Sequence, residues 1–158
     1  MNIRKIKKSD NKALATMLRA VLTEVGANSD GFAFADPQLD HMFEFYEKQK
    51  GSYYVVENEL GKIIGAAGIG ELSGEPNMIE LQKMYFLPEA RGIGLAQQLM
   101  SILIAEAKKM GFTACYIETI DSLKAAIKLY ERNGFKHVPN ACGNTGHFGC
   151  NVYMVKQL

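Results

Sequence analysis

The sequence contains no tryptophan, and proline and cysteine are scarce. The three cysteines, Cys115, Cys142 and Cys150, are odd in number and irregularly spaced, which argues against a disulfide framework and for free thiols in a reducing cytoplasm. No apolar run approaches the ~20 residues of a membrane span, and Met1-Asn2-Ile3-Arg4 is not followed by a signal-peptide core. A surplus of one charge is missing too. With 18 Lys+Arg against 17 Asp+Glu, the chain carries no overall basic field to draw nucleic acid. Repeats and low-complexity tracts are absent. What is present, 47% hydrophobic and 22% charged residues, is ordinary for a soluble globular chain. A length of 158 residues suits a single domain, 1–158. A domain of that size buries roughly two thirds of its unfolded surface.

Hydrophobic periodicity divides the chain into elements. Ile3 and Lys5 mark a short edge strand ending before Ser9-Asp10, either of which can cap a helix. Leu14, Met17, Leu18, Val21, Leu22 and Val25 recur at helical spacing up to Gly26. Asp36-Pro37 opens a second helix reaching about Lys50, with Asp36, Asp40, Glu44 and Glu47 close to one face. That acidic stripe reads as the solvated side of a surface helix or, alternatively, as a guide for a cationic amine. Phe32, Phe34, Phe43, Phe45 and Tyr46 crowd the same region, as core or as pocket wall.

Ser52 to Glu57 and Lys62 to Gly70 form a predicted hairpin about Asn58-Glu59-Leu60-Gly61. Its second strand is thinned by Gly65-Ala66-Ala67-Gly68, a mark of close backbone approach or a bulge. Met78 to Phe86 is a central strand, and the helix after it turns Leu95, Leu99, Ile102, Leu103 and Met110 inward before Gly111. A strand from Phe112 to Thr119, a helix from Leu123 to Asn133, a strand from Phe135 to Val138, a loop and a last strand from Asn151 to Val155 complete an α/β chain.

The stretch from Glu80 to Ala96 organises the rest. A strand passes through Leu87-Pro88 into a helix whose first turn is nearly bare of bulky side chains at Gly92, Gly94 and Ala96. A helix start offers unpaired N–H groups and partial positive charge, which suit a phosphate, and Arg91 adds a permanent charge. Tight packing alone would also call for these small residues. No Gly-Lys-Ser/Thr follows, which excludes a P-loop, and Gly92-x-Gly94-x-x-Gln97 lacks the third glycine of a dinucleotide fingerprint.

Arg91-x-x-Gly94-x-Ala96 resembles the acyl-CoA signature of the GNAT superfamily of N-acetyltransferases, Gln/Arg-x-x-Gly-x-Gly/Ala. A second stretch, Ala126 to Phe135, resembles that superfamily's Ala-x-x-Leu-Tyr-x-x-x-Gly-Phe. The resemblance implies a mixed, mostly antiparallel central sheet of about seven strands with a splayed parallel pair, flanked by about four helices. It implies acetyl-CoA as co-substrate and direct acetyl transfer to an amine. By the same resemblance, Arg91, Gly92, Ile93, Gly94, Leu95, Ala96 and Gln97 would cradle the pyrophosphate of coenzyme A. The main chain of Met84, Tyr85 and Phe86 would receive the pantetheine arm and thioester.

Tyr130 matches the tyrosine that protonates the departing thiolate, and a phenol of pKa ~10 suits that task. Glu80 matches a glutamate that serves some members as general base, provided burial raises its pKa; Glu118, on the neighbouring strand, is its understudy. Packing at a helix end for Tyr130, and a structural or substrate-binding role for Glu80, are the plainer readings. Leu123 stands where many relatives carry Asn, so one polar contact to the cofactor is lost or replaced.

The loop Pro139 to Gly149 and its surroundings hold Cys142-x4-His147-x2-Cys150, three ligand types where structural zinc takes four, so no metal is expected. His147 instead suits the acceptor pocket or a structural hydrogen bond, and Phe34 joins it as a weak acceptor-side candidate. The acceptor would be an amine on a small molecule or peptide, with no nucleic acid and no membrane as partner. A homodimer is the commonest assembly for such a chain. A module that senses acyl-CoA or binds a partner without catalysis is the alternative.

Overall fold

A computed structural model describes residues 1–158. Its framework is one seven-stranded sheet in the order β1-β2-β3-β4-β5-β7-β6. The strands are β1 (Asn2–Lys5), β2 (Ser52–Glu57), β3 (Ile63–Glu71), β4 (Met78–Phe86), β5 (Ala114–Thr119), β6 (Lys136–Val138) and β7 (Val152–Gln157). All neighbours pair antiparallel except β4 and β5, which run parallel. Four α-helices accompany the sheet: α1 (Asn11–Glu24), α2 (Met42–Glu47), α3 (Leu95–Lys109) and α4 (Lys124–Arg132). This is the mixed sheet with one parallel pair that the sequence implies.

The alternation of side chains sorts β4 and β5 into two faces. Ile79, Leu81, Cys115 and Ile117 join Leu99, Met100 and Leu103 of α3 in one core. On the other face Leu14, Leu18 and Val21 of α1 and Met42 of α2 pack on Tyr53, Val55 and Ala66. β3 is buried from Ile63 to Gly70, and its glycines make room for large neighbours. A Cβ at Gly65 would collide with the Phe86 ring, and one at Gly68 with Tyr53.

The thin stretch of β3 does mark a bulge, but the extra residue belongs to β4. Ala66 pairs with Tyr85 and Gly68 with Gln82, so Ala67 alone faces both Lys83 and Met84. Lys83 takes a left-handed backbone, φ 48°. Such a bulge bends its strand and increases the local twist. β4 and β5 pair only at Met78↔Ala114, Ile79↔Cys115 and Glu80↔Tyr116, and part beyond that point.

Two expectations need correction. The helix from Asp36 to Lys50 is instead a 3-10 turn at Pro37–Asp40, a break at His41 and the short α2. Pro37 pushes the residue before it out of the helical region, and Asp36 is extended at φ −63°, ψ 126°. The acidic stripe therefore does not form. Asp36 points inward, Asp40 pairs with Arg19 at 2.7 Å, and Glu44 accepts from Asn11 Nδ2 at 2.7 Å. Similarly, Gly92 and Gly94 lie ahead of α3 rather than in its first turn, with Gly94 as N-cap residue.

Candidate active site

The turn into α3 is an open row of donors. The main-chain amides of Gly92, Ile93, Gly94, Leu95, Ala96 and Gln97 donate to no group in the protein, and the first bond of the helix runs from Gln98 N to Gly94 O at 3.0 Å. Gly92 and Gly94 have φ of 74° and 85°, a region where a Cβ is strained. A Cβ at either would meet nothing within 4 Å, so space is open beside the amides. These features fit a diphosphate. Arg91 is placed differently from its neighbours: its amide bonds Pro88 O, its Nε donates to Phe86 O at 2.8 Å, and its Nη atoms hold Glu24 at 2.8 Å.

Where β4 and β5 part, a narrow cleft of about 70 Å³ opens. Its walls include Met84 and Tyr85 of β4, Ile117 and Glu118 of β5, and Leu123, Ala126 and Tyr130 from the α4 region, together with Phe32 and Cys150. Phe86 is one step away, its ring in the core and its carbonyl bonded to Arg91. Leu123 stands on the wall as an apolar group at the place of the missing Asn. The apolar lining suits a pantetheine arm.

Tyr130 is 4% exposed and packs on Phe135, ring centroids 5.9 Å apart. Burial pushes its phenol well above the ordinary value of 10.0, so it remains protonated. Tyr130 is among the residues lining the cleft, and its hydroxyl makes no hydrogen bond within the protein. Gln97 of α3 and Asn133 beside α4 tie the open amides to the helix that carries this phenol.

Glu80 lies behind the cleft wall, 7% exposed. Burial raises its pKa above 4.5, opposed by the hydrogen bond from Gln82 Nε2 at 2.7 Å and by the charges of Lys83 and His147. Tyr46 OH donates to Gln82 Oε1 at 2.5 Å, fixing the amide that orients the carboxylate. Glu118 is on the wall itself, accepting from Tyr116 OH at 2.7 Å and Thr145 Oγ1 at 2.6 Å.

His147 is held away from any metal-like cluster. Its Nε2 lies 2.8 Å from Asp36 Oδ1, and the other carboxylate oxygen lies 2.6 Å from Lys83 Nζ. The Asp36 carboxylate raises the pKa of His147 above 6.5. No group of three or more His, Cys, Asp or Glu side chains converges to hold a metal. Cys150 is pushed up to about 12 by burial, and the thiol is a weak nucleophile there. Phe34 packs against the cluster of Leu22, Ala27 and Ala33 and is not among the residues of the cleft wall.

Lys83, Asp36 and Gln82 were not singled out from sequence as site residues, although one signal was available. Ile79-x-Leu81-x-Lys83 puts a lysine on the apolar face of a central strand, where an unpaired charge is costly. The bulge resolves the conflict by moving Lys83 to the face of Glu80 and Gln82, while Met84 and Phe86 continue the face against α3.

A sheet that parts along its one parallel pair, with unpaired amides at the start of the next helix, is the arrangement that the GNAT resemblance implies. Residues 18–135 match the acetyltransferase (GNAT) family model, and the chain belongs to that family. It is 45% identical over 158 residues to an uncharacterized N-acetyltransferase, YjgM, of Escherichia coli (strain K12), covering 99% of this chain and 94% of the relative. It is similar to N-acetylaspartate synthetase of Xenopus tropicalis, 34% identical over 60% of this chain and 35% of that protein. Among solved structures, a GNAT acetyltransferase from Staphylococcus aureus Mu50 superposes with a TM-score of 0.85 at 22% identity, covering 99% and 98% of the two chains. The PaiA N-acetyltransferase of Thermoplasma acidophilum, in complex with coenzyme A, gives 0.74 at 16% identity over 99% and 98%. The protein is an N-acetyltransferase.

Proposed function

We propose that this enzyme moves an acetyl group directly from acetyl-CoA to the amine of a small molecule or peptide, with Tyr130 as general acid and Glu80 as general base. The observation that carries this reading is the row of six unpartnered amides, 92–97, joined through Gln97 and Asn133 to the helix whose Tyr130 lines the cleft. Those amides would bind the diphosphate, and the main chain of Met84 and Tyr85, beyond the last β4–β5 pair, would receive the pantetheine arm and the thioester carbonyl.

An alkyl ammonium must lose a proton before it can attack. Glu118, on the wall, would receive the ammonium, and Glu80 behind it would take the proton through a water, its raised pKa bringing it nearer the working pH. The amine nitrogen then bonds the acetyl carbon as the C–S bond breaks. Tyr130 gives its proton to the sulfur and its phenolate regains one from the second proton leaving the nitrogen, so the products are an amide and the free thiol. Three free cysteines support a reducing, cytoplasmic setting.

Thiol release from acetyl-CoA with a panel of amines tests this reading, run on the native protein and on Tyr130→Phe. Amine-dependent release that collapses in the variant is expected. Tight coenzyme A binding with no turnover on any amine would instead indicate a sensing module.

A further inference from the structure

Only two charged residues line the cleft, and they stand on opposite strands: Lys83 on β4 and Glu118 on β5. Lys83 is there because the bulge turns it from the face against α3. Its side chain is 4% exposed, a degree of burial that lysine tolerates only when paired. An ammonium has three N–H donors, and the one protein partner of this one is Asp36 Oδ2 at 2.6 Å. Two donors are left without a protein partner on a buried side chain whose residue lines the cleft. Asp36 is itself shared with His147, so one carboxylate serves two basic side chains.

Glu118 is the complement. Both its partners, Tyr116 OH and Thr145 Oγ1, are neutral, so nothing in the protein cancels its charge. Two segments beside the cleft pack on one another, and Phe32 and Cys150 of these segments line it. Gly149 N donates to Gly31 O at 2.9 Å, the Phe148 ring lies on Gly31, and the Phe32 ring lies on Gly149. The cleft itself is small, about 70 Å³.

We infer that the acceptor is a small amino acid, its ammonium held at Glu118 and its carboxylate at the unspent donors of Lys83, which Asp36 and His147 hold in place. This rests on the acetyl-transfer reading of the same cleft. An amine without a carboxylate would leave buried N–H donors unsatisfied, and a site built to hydrogen-bond a group discriminates strongly against analogues that lack it. A peptide N-terminus lacks the neighbouring carboxylate.

The test is steady-state thiol release with α-, β- and γ-amino acids, with the amide and the decarboxylated amine of each, and with short peptides. For at least one amino acid, kcat/KM should exceed that of its amide and its amine by at least about tenfold. In Lys83→Met the ratio of acid to amide should fall toward one, whatever the absolute rates. If that variant does not fold, as judged by its melting curve, the native ratios decide. Amines, amides or peptides turned over as well as the acids would overturn this inference and leave the transferase reading intact. A ratio preserved in folded Lys83→Met would overturn the role of Lys83. Coenzyme A binding with no turnover of any compound would overturn both readings.

Discussion

The carboxamides of Gln97 and Asn133 exchange two hydrogen bonds, Gln97 Nε2 to Asn133 Oδ1 at 2.7 Å and Asn133 Nδ2 to Gln97 Oε1 at 2.9 Å. Asn133 Nδ2 also donates to Leu129 O at 2.8 Å, closing the end of α4. The pair fixes the distance between the start of α3 and the helix bearing Tyr130. Asn133→Ala should cost about 1 kcal/mol of stability, a melting shift of a few degrees. It should lower kcat more than coenzyme A affinity, since the open amides lie on the other helix. Calorimetric titration with coenzyme A beside steady-state kinetics separates the two effects.

Tyr130→Phe removes a hydroxyl that holds nothing within the protein, and its melting temperature should match that of the native enzyme. The rate should nevertheless fall about 10²-fold or more, the usual worth of a positioned general acid. An unchanged kcat would remove Tyr130 from the chemistry.

Gly94→Ala tests the open amides. The backbone at φ 85° costs an alanine about 1–2 kcal/mol, yet nothing lies within 4 Å of the new methyl. The variant should fold with reduced stability and lose coenzyme A affinity, because its methyl group and any backbone relaxation intrude on the space beside the amides. Calorimetric titration reads this directly, and native affinity in a folded variant would count against a diphosphate at this turn.

Burial raises the pKa of Glu80 in the folded protein. Its contribution to stability is therefore complete below the unfolded value near 4.5 and is lost as pH rises through the folded value. Glu80→Gln should accordingly be at least as stable as the native protein at neutral pH by urea denaturation. The same change should slow turnover about 10²-fold or more and abolish an acid limb of kcat/KM lying above pH 4.5.

His147 also titrates higher when folded, through Asp36, while Asp36 titrates lower than its ordinary 3.8. The histidine contribution is fully present below pH 6.5 and fades as pH rises through its raised value; the aspartate contribution is present above pH 3.8 and fades as pH falls through its lowered value. His147→Gln should flatten the decline in stability on the alkaline side of pH 6.5 without altering the acid side in kind. Urea midpoints across pH 4 to 9 give the comparison; parallel curves for the two proteins would exclude this linkage.

Much of the fold was legible because its signals are local. The periodicity of Leu14, Leu18 and Val21 places α1, and a helix entered through Gly92 and Gly94 must turn with positive φ. The helix end that carries Tyr130 was legible from a short motif. Asp36 was not, because its inward turn depends on Lys83 and His147, which are distant in sequence. Lys83 was hidden by the bulge: strict alternation along β4 assigns it to the wrong face, and the extra residue can be located only against the register of β3. The Pro37 signal was sound, but it opened a 3-10 turn, and the backbone at His41 then ended the run.

Three residue pairs, Met78↔Ala114 to Glu80↔Tyr116, are all the pairing between the half of the sheet built from β1 to β4 and the half built from β5, β7 and β6. That seam has only three rungs, as few as the short β6–β7 edge, and a coenzyme arm laid along it would act as mortar between two leaves. Amide exchange along Leu81–Phe86 and Ile117–Thr119 should therefore slow when acetyl-CoA is bound, making the cofactor a structural tie as well as a reagent.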